Sequence, residues 1–397
     1  MTWIADPAFV AGAPFGPQTL PYGVADGIGV VVRVGDHALA LRDISGLFGQ
    51  RIGELVRASS LDPLLATNRA TWDELRTKLT EIVTAENAPA GAKLLPISEV
   101  NSLLPFTVAD YVDFYSSRHH AANVGRILRP NSEPLLPNWT HLPVGYHGRA
   151  GTVVVSGTEI VRPKGQRKGD NGPVFGPSER LDIEAEVGFV CGGRVSTEVS
   201  TADVAEHVFG VALVNDWSAR DIQAWEYQPL GPFLGKSFAT SISAWITPLA
   251  ALENARIPVL DHAHSRLDYL TETDNWGLDI SLEIAWNGRI VSVPPFSEMS
   301  YSCAQQLAHM TVNGATVRPG DLFASGTVSG AEKEQRGSFL ELSWGGKDPV
   351  KLAGGETRTF LEDGDTVVIT ATAPGPAGSV VGFGEVAGTI AGAREPG

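Results

Sequence analysis

The stretch LDIEAEV, residues 181–187, alternates apolar and acidic side chains without interruption. On a β-strand this period of two predicts one face formed by Asp182, Glu184 and Glu186 and an opposite face that is apolar. Two unit charges about 4 Å apart repel each other by roughly 4 kcal/mol at an effective dielectric constant near 20. The acidic face must therefore be solvated, share protons or bind a cation.

A cation site is one interpretation of this acidic face. Alternate residues of a strand lie roughly 6.6 Å apart at Cα, so two carboxylates can converge on one ion. Carboxylate oxygens are hard ligands, which favours Ca²⁺ or Mg²⁺ over Zn²⁺. An amphipathic strand with a hydrated acidic face is the alternative, and the motif alone does not distinguish the two.

The composition limits the class of protein and its partners. The 397 residues, 43% of them hydrophobic, suffice for a large core and suggest two domains or more. The formal net charge of -15 argues against nucleic acid or an anionic membrane as a partner. Substrates that carry carboxylates would need a locally basic pocket in such an acidic protein.

The cysteine content and the N-terminal segment bear on location. Only Cys191 and Cys303 occur, which is too few for a disulfide framework and typical of a reducing cytosol. The first residues lack the basic and apolar regions of a signal peptide, and no apolar run is as long as a membrane span. We therefore expect a soluble cytoplasmic protein.

The first hundred residues predict a small β domain. GVVVRV (29–34) and HALAL (37–41) are apolar runs joined at Gly35-Asp36. Thr71 and Glu74 match a capping box that precedes apolar residues at helical spacing, namely Leu75, Leu79, Ile82 and Val83. We expect one domain over residues 1–105 and a larger unit over residues 106–397.

The larger unit has the pattern of a mainly β fold with short helices. Helices are expected after Ser117, Ser200, Asp216 and Ser302, and Asn287-Gly288 is a strong hairpin signal. This is not the regular strand and helix alternation of a doubly wound sheet. The predicted strands lie in TVVVSG, EIVRP, LDIEAEV, VFGVALVN, LDISLEIAW, SFLELSW and DTVVITA.

The segment VALVNDWSARDIQAWEY predicts a strand that ends at Asp216, followed by a helix. Offsets of three and seven place Arg220, Gln223 and Tyr227 on one helix face, with Asp216 one turn earlier. The alternative is a surface helix with an intrahelical Asp216–Arg220 pair, which contributes only a few tenths of a kcal/mol. The following loop carries Lys236, and a single loop lysine is usually solvated.

Two adjacent histidines supply a candidate general base. His119 and His120 follow Asp113 and Tyr115, and histidine is the side chain whose unperturbed pKa lies near neutrality. A surface histidine pair is the alternative. Glu341, on the predicted strand SFLELSW, could orient an imidazole as the third member of a catalytic triad does.

Several other enzyme classes lack their motifs in this sequence. His141 and His147 do not match a zinc spacing. The Gly-x-Ser-x-Gly turn of serine hydrolases, the Walker loop and the dinucleotide fingerprint are also missing. Metal-assisted chemistry with a histidine base is the class that is left open.

Six blocks of the sequence, several of them longer than a dozen residues, share one resemblance. The blocks are DFYSSRHHAANVG, LLPNWTHLPVGYHGRAGTVVVSGT, LDIEAEVGF, NDWSARDIQAWEYQPLGPFLGKSF, VRPGDLFASGTVSG and ELSW. They resemble the fumarylacetoacetate hydrolase family, and specifically its fumarylacetoacetases. The resemblance extends over almost the whole chain and includes LPYGV near the start, whereas the wider superfamily of acylpyruvate hydrolases and related decarboxylases usually shares only the metal carboxylates and the lysine.

The resemblance implies a fold, an activity and an assembly. The expected fold is a small N-terminal SH3-like β-barrel and a large mixed β-roll catalytic domain, through which the protein forms a homodimer. The expected reaction is hydrolysis of the carbon–carbon bond of a diketo acid, fumarylacetoacetate, to fumarate and acetoacetate, the last step of phenylalanine and tyrosine degradation. The expected cofactor is a divalent cation, Mg²⁺ or Ca²⁺.

The resemblance also implies residue roles. Asp182 falls outside the metal ligands, and its replacement by asparagine is expected to be mild. His119 stands where glutamine is common in animal members, which affects the proton assignment within the histidine pair. The implied metal ligands are Asp113, Glu184, Glu186 and Asp216, with Lys236 and Thr240 near a second cation position. The implied base is His120 with Glu341 as its orienting carboxylate, and the implied oxyanion donors are Arg220, Gln223 and Lys236. The implied substrate contacts are Tyr115, Arg129, Tyr146, Gln223, Tyr227, Gly326 and Thr327.

Two other functions are considered. A metal-dependent decarboxylase or isomerase, or an acylpyruvate-type hydrolase, would use the same carboxylates, but a decarboxylase needs no dyad to activate water. A metal-stabilised binding protein without activity would be expected to lack one of four residues that are all present: His120, Glu341, Arg220 and Lys236.

Overall fold

The computed structural model describes residues 2–260 and 266–395. Among the described residues, none of the helices is both long and apolar enough to cross a membrane. The described strands are β1 (Tyr22–Ala25), β2 (Gly29–Val34), β3 (His37–Ala40), β4 (Leu94–Pro96), β5 (Asp110–Phe114), β6 (Gly145–His147), β7 (Val153–Val155), β8 (Ile160–Val161), β9 (Lys164–Gly169), β10 (Gly172–Pro177), β11 (Leu181–Asp182), β12 (Ala185–Cys191), β13 (Val208–Asp216), β14 (Ser218–Ala219), β15 (Thr240–Ile242), β16 (Thr247–Pro248), β17 (Arg256–Ile257), β18 (Gly277–Leu278), β19 (Ser281–Trp286), β20 (Arg289–Ser292), β21 (Asp321–Ala324), β22 (Val350–Lys351), β23 (Thr357–Arg358), β24 (Thr366–Pro374), β25 (Val380–Gly382) and β26 (Val386–Ala391).

The helices are mostly short. The α-helices are α1 (Gly49–Leu55), α2 (Asp62–Leu65), α3 (Arg69–Thr84), α4 (Arg118–Leu128), α5 (Val204–His207), α6 (Arg220–Glu226), α7 (Cys303–Thr311) and α8 (Phe339–Leu342). The 3₁₀ helices cover Leu41–Phe48, Ile97–Glu99, Pro137–Thr140, Ala150–Thr152, Thr201–Asp203, Leu249–Ala255, Asp268–Leu270, Phe296–Glu298, Lys333–Gln335, Ala353–Gly355 and Pro376–Gly378. The expected mainly β fold with short helices is confirmed.

The largest sheet has the strand order β6-β5-β21-β12-β13-β15-β7, with β16 beside β13. Its pairs are antiparallel except β21 with β5 and β15 with β7, which are parallel. Every residue of β12 and β13 is buried, because both faces of these central strands are covered. The acidic residues that these strands carry are therefore held inside the protein.

Each face of this sheet contributes to its own core. On one face, Phe189 and Leu213 pack in one cluster with Ile284 and Ile369 of the second large sheet, whose order is β20-β19-β24-β26-β8. Trp217 is fully buried in this cluster, and its indole Nε1 donates to Ser241 Oγ at 2.8 Å. The larger, C-terminal part of the chain thus contains two sheets packed face to face.

The other face of the large sheet packs against the N-terminal segment. Val32 and Leu39 of the sheet β1-β2-β3-β4 and Leu75 of α3 lie in one apolar cluster with Val190 and Ile246. This apolar cluster contains residues from both sides of position 105. The predicted domain boundary at that residue and the SH3-like closure of the first sheet stay predictions.

The acidic stretch is only partly the single strand that its alternation predicts. β11 ends at Asp182 and pairs with β14, whereas β12 begins at Ala185 and pairs with β13 and β21. The chain changes sheets at Ile183 and Glu184, and side chains satisfy the two amides: Asp182 Oδ1 accepts from Ile183 N at 2.8 Å, and Asn215 Oδ1 accepts from Glu184 N at 3.3 Å. The whole stretch is buried, so the hydrated acidic face is wrong.

Two other local predictions are wrong. Helix α3 begins at Arg69, and Asn68 Oδ1 caps it by accepting from Thr71 N at 3.0 Å, so Thr71 lies inside the first turn and is not the cap. SFLELSW is not a strand, because Phe339–Leu342 forms α8, capped by Ser338. The free backbone amides in the first turn of α8 are satisfied by side-chain acceptors such as Ser338, which stabilises a helix start at this position.

Other local predictions are confirmed. Ser117 and Ser302 accept from backbone amides as the caps of α4 and α7, and Ser302 also forms a capping box with Gln305. Asn287 and Gly288 connect β19 to β20 with positive φ at both residues, 48° and 76°. This is the backbone conformation that gives Asn-Gly its hairpin preference.

We predict that Gly388→Ala destabilises the protein. A Cβ at Gly388 would lie 2.4 Å from Cζ2 of Trp217, a buried ring that cannot move aside. Overpacking of this kind costs about 1–3 kcal/mol. Gly46→Ala is the matched control, because nothing lies within 4 Å of the added carbon. Urea unfolding should show the loss in the first variant only; equal midpoints for the two variants would contradict this packing.

Candidate active site

Four buried carboxylates converge where strands of the large sheet end. Asp113 lies in β5, Glu186 in β12 and Asp216 at the end of β13, and Glu184 lies in the break just before β12. One oxygen from each of the four side chains lies within 4.8 Å of the others. The strand order β5-β21-β12-β13 brings together residues that are far apart in sequence.

Unpartnered oxygens indicate that this cluster fits a cation. Both carboxylate oxygens of Glu186 and Oδ1 of Asp113 are buried without a hydrogen-bond partner among the described residues. Burying an unpaired carboxylate costs several kcal/mol. The four ligands are all oxygens, which is the donor set of a hard divalent ion. These residues could therefore hold a metal ion.

Burial and mutual repulsion raise the pKa values of two of these carboxyl groups. Burial, and then the charge of Asp216, raises the pKa of Asp113 to about 8. Burial and the charges of Asp113 and Glu184 also hold the pKa of Glu186 well above its ordinary value. Each shift reports a carboxyl whose charged form is disfavoured first by burial and then by neighbouring negative charge.

Lys236 supplies part of the compensation. Its Nζ donates to Glu184 Oε2 and, at 2.7 Å, to Asp216 Oδ2. Burial lowers the pKa of Lys236, but the charges of Asp216 and Glu184 outweigh it and raise that pKa above its ordinary value. Asp216 also accepts from Thr240 Oγ1 at 2.9 Å and from the Tyr146 hydroxyl at 3.1 Å. The solvated loop lysine of the alternative interpretation is therefore wrong.

His120 and Glu341 form a buried pair next to the carboxylates. His120 Nδ1 lies 2.6 Å from Glu341 Oε2, and Glu341 is fully buried. Glu341 also accepts from Asn123 Nδ2 at 3.0 Å, Ser329 Oγ at 2.9 Å and Ser338 Oγ at 2.8 Å. The carboxylate is therefore fixed and holds the imidazole in one orientation.

The second imidazole nitrogen faces the carboxylate cluster. His120 Nε2 lies 3.6 Å from Glu184 Oε1. Burial lowers the pKa of His120, but Glu341 and Glu184 outweigh it and raise that pKa to about 9. His119 lies outside this arrangement, since its Nε2 is 3.0 Å from Glu298 Oε2 and its side chain is 33% exposed. Of the two histidines, the structure places His120 in the site.

Arg220 connects the cluster to α6. Its Nε donates to Asp182 Oδ2 at 2.8 Å, its Nη2 lies 2.7 Å from Glu184 Oε1, and its Nη1 donates to Gln223 Oε1 at 3.1 Å. The alternative of an intrahelical Asp216–Arg220 pair on a surface helix is wrong, because Arg220 is buried against other carboxylates. Helix α6 also begins only at Arg220.

Asp182 has a larger role than its place outside the metal ligands suggests. Besides Arg220, it accepts from the backbone amides of Phe339 at 2.7 Å and Leu340 at 3.0 Å, the first residues of α8. Helix α8 carries Glu341. One buried carboxylate thus ties together Arg220 and the helix that holds the orienting carboxylate, so the expectation that its replacement is mild does not fit the structure.

A cavity of about 330 Å³ opens onto the cluster. It is lined by five of the predicted substrate contacts, Tyr115, Arg129, Tyr146, Gln223 and Tyr227, and by His120, Arg220 and Lys236. Gly326 and Thr327 are buried and do not line this cavity. Asp216 and Thr240 line a smaller neighbouring cavity of about 100 Å³.

Sequence reasoning missed several residues of the site. Asn123 follows His120 by three positions on α4, a helical offset that could have identified it. Ser329 and Ser338 had no such signal, because their role depends on the position of Glu341 in the fold. The apolar wall, including Leu128, Val144, Leu230 and Leu340, also had none.

Comparison with known proteins assigns this arrangement to a family. Residues 110–391 match the model of the fumarylacetoacetate (FAA) hydrolase C-terminal region, and residues 18–105 match that of the fumarylacetoacetase N-terminal region. The chain belongs to the fumarylacetoacetate hydrolase family. The two matches together cover most of the chain.

Relatives of this family align with nearly the whole chain. The fumarylacetoacetase of Oryza sativa subsp. japonica is 43% identical over 412 residues, covering 96% of this chain and 95% of that protein. The fumarylacetoacetases of Rattus norvegicus and Homo sapiens are each 43% identical, and cover 96% and 94% of this chain and 96% and 95% of their own lengths.

Solved structures share the fold at lower identity. A fumarylacetoacetate hydrolase from Exiguobacterium antarcticum superposes with a TM-score of 0.56 at 18% identity, covering 95% of this chain and 99% of that chain. A maleylpyruvate hydrolase from Sphingobium sp. SYK-6, solved with manganese (II) ion and pyruvate, gives a TM-score of 0.55 at 14% identity and covers 94% of this chain and 100% of that chain.

We predict that Asp182→Asn reduces both stability and turnover. The substitution removes a charge that accepts from Arg220 and from two amides of α8. Loss of a charge-assisted hydrogen bond costs about 2 kcal/mol, and misplacement of a catalytic group by about 1 Å can cost on the order of 100-fold in rate. The melting temperature and kcat should both fall.

Asp203→Asn is the control for this prediction. Asp203 is an exposed aspartate that accepts a hydrogen bond from Ser200 Oγ at 2.7 Å. A fall in kcat for Asp182→Asn with little change in KM would indicate a positioning role. An unchanged kcat and melting temperature would mean that the links made by Asp182 carry no energetic weight.

Proposed function

We propose that this protein hydrolyses the carbon–carbon bond of the β-diketone fumarylacetoacetate to give fumarate and acetoacetate. The observation that carries the proposal is the buried His120–Glu341 pair beside the carboxylate cluster, with His120, Asp113 and Glu184 lining one cavity. The 43% identity to curated fumarylacetoacetases over 96% of the chain supports the same substrate. This reaction would be the last step of phenylalanine and tyrosine degradation.

The four carboxylates Asp113, Glu184, Glu186 and Asp216 would hold Mg²⁺ or Ca²⁺, since all of their donor atoms are oxygens. When bound, the ion would supply Lewis-acid polarisation of the two diketo oxygens. Lys236 and Thr240 adjoin Asp216 and would belong to a second cation position.

His120 acts as the general base. A cation held by Glu184 would offset one of the charges that raise the pKa of His120. In its neutral form His120 takes a proton from water, and the resulting hydroxide attacks the carbonyl carbon next to the alkene. The bond from that carbon to the methylene then breaks, and its electron pair leaves with the acetoacetate fragment as an enolate, which takes a proton back. General base catalysis typically contributes about 10² to 10⁴-fold. Glu341 keeps the imidazole oriented during both transfers.

Arg220, Gln223 and Lys236 stabilise the tetrahedral oxyanion. Gln223 Oε1 accepts from Arg220, which leaves the amide nitrogen of Gln223 as the donor for substrate. Each such donor is worth about 3 kcal/mol. Arg129 meets a terminal carboxylate, and Tyr115, Tyr146, Tyr227, Gly326 and Thr327 are proposed as further substrate contacts.

The presence of a histidine–carboxylate pair and two buried cations beside the carboxylate cluster favours hydrolysis over decarboxylation, isomerisation or binding without activity. A decarboxylase or isomerase would need the carboxylates but not a buried histidine and carboxylate pair at 2.6 Å. A binding protein without activity would not need two cations, Arg220 and Lys236, buried against the same glutamate. An acylpyruvate-type hydrolase shares the chemistry and differs in the substrate that the cavity accepts.

The proposal extends to location and assembly. We propose a cytoplasmic homodimer that acts on a small diketo acid and binds neither nucleic acid nor membrane. The net charge of -15 supports the absence of polyanionic partners. The two cysteines are free and buried, as in proteins of reducing compartments.

We predict that His120→Ala lowers kcat by 10² or more, with a smaller change in KM. His119→Ala is the matched control and should be nearly neutral, because His119 pairs with Glu298 outside the cavity. Glu341→Gln should resemble a weaker His120→Ala, and the double variant should be far from additive. Steady-state kinetics on the four variants and the wild type gives these values.

Additive losses for His120 and Glu341 would show that Glu341 does not act through the imidazole. A larger loss in His119→Ala than in His120→Ala would identify the other imidazole as the base.

The test of the proposed function is turnover of fumarylacetoacetate in H₂¹⁸O. The absorbance of the diketone should disappear, fumarate should be recovered, and the label should enter the fumarate carboxylate. In this direction the electron pair leaves as the enolate of acetoacetate, whose charge is shared with the adjacent ketone oxygen that a bound cation would stabilise. Label in malonate, the product of attack on the other ketone, or CO₂ without a new carboxylate, would overturn the mechanism.

A further inference from the structure

A second cavity adjoins the candidate active site. Its volume is about 450 Å³, compared with about 330 Å³ for the active-site cavity. Leu128, Arg220, Ala224 and Leu340 line both cavities, so the two spaces adjoin at these residues. None of the functional roles above uses the residues of this second cavity other than Arg220.

The second cavity is strongly basic for so acidic a protein. Besides Arg220, its lining contains five cationic side chains and two acidic ones, whereas the chain as a whole carries -15. The five cations are Arg126, Arg167, Lys168, Arg180 and Lys347. A local excess of positive charge is therefore concentrated beside the catalytic centre.

The two acidic residues of the lining are already engaged. Glu179 Oε1 lies 2.7 Å from Arg167 Nη1, so this acid and one of the five cations offset each other. Asp221 accepts from Ser178 Oγ at 2.6 Å and from the backbone amide of Glu179 at 2.7 Å. Lys168 and Lys347 are exposed at the rim. The charge that an incoming anion meets first is positive.

We propose that this cavity is a vestibule that binds the carboxylate groups of the substrate before it reaches the metal cluster. The proposal rests on the proposed function, because that substrate is a dicarboxylate. Clefts lined by charge of one sign raise the association rate of oppositely charged ligands by 10 to 10³-fold. In a protein of charge -15, a dianion would otherwise be repelled.

Arg220 is not the source of the attraction. Asp182 and Glu184 neutralise its guanidinium from the inner side, at 2.8 Å and 2.7 Å. The outer cations carry the field, so the vestibule can be altered without changing the residues proposed for chemistry.

The test is the double variant Lys168→Glu/Lys347→Glu, with Lys93→Glu as the control. Lys93 is exposed and precedes β4, outside the cavity lining. At low ionic strength, the double variant should lower kcat/KM for fumarylacetoacetate about tenfold, with a smaller change in kcat. The difference should shrink as salt is added, because the Debye length is about 10 Å at 0.1 M and about 3 Å at 1 M. Lys93→Glu should behave as wild type.

Calorimetric binding of fumarate separates this proposal from the proposed function. If the wild type does not cleave fumarylacetoacetate, the proposed function fails, whereas fumarate affinity still reports on the vestibule. The double variant should then bind fumarate about tenfold more weakly than Lys93→Glu at low salt. Equal affinities and equal kcat/KM values in the two variants would overturn the vestibule. Tighter binding of inorganic phosphate than of fumarate would overturn its assignment to carboxylates.

Discussion

The repulsion between four carboxylates buried within 4.8 Å of one another is the constraint on which the site depends. The strand order brings Asp113, Glu186 and Asp216 together, and the complete burial of β12 and β13 keeps water from screening them. Lys236 and Arg220 offset part of this charge through Glu184. The remainder, concentrated on oxygens without partners, is what a divalent cation would neutralise.

The same electrostatics organises the catalytic groups. Glu184 contacts Lys236, Arg220 and His120, so one carboxylate fixes the distances between these three proposed catalytic side chains. Asp182 adds a second connection, from Arg220 to the amides of α8. Because each group is held by a charge that is itself buried, the site is preorganised, which is the property that electrostatic catalysis requires.

Much of this could be predicted from residues close in sequence, and the rest could not. The caps Ser117 and Ser302 and the Asn287-Gly288 hairpin depend on neighbours within a few positions, and sequence patterns identified them. The alternation of acidic residues in LDIEAEV correctly predicted carboxylates whose negative charge must be compensated. The alternation in SFLELSW predicts a strand, but the segment forms α8. The first amide of this helix donates to Asp182, 157 residues away, and a local sequence pattern carries no information about such a partner. The break of the acidic strand likewise depends on pairing with two different sheets.

The most direct test of this account is the effect of divalent cations on thermal unfolding of chelator-treated wild type and Glu186→Gln. In the wild type, Mg²⁺ or Ca²⁺ should raise the melting temperature, with about 2.7 kcal/mol of stabilisation at 100 times the dissociation constant. Without metal, Glu186→Gln should be at least as stable as the wild type, because it removes a buried carboxyl whose charged form is unfavourable there and whose two oxygens have no partner among the described residues. With metal, its melting temperature should stay nearly constant. The same metal-dependent rise in both proteins, or none in the wild type, would contradict the claim that a cation compensates this cluster.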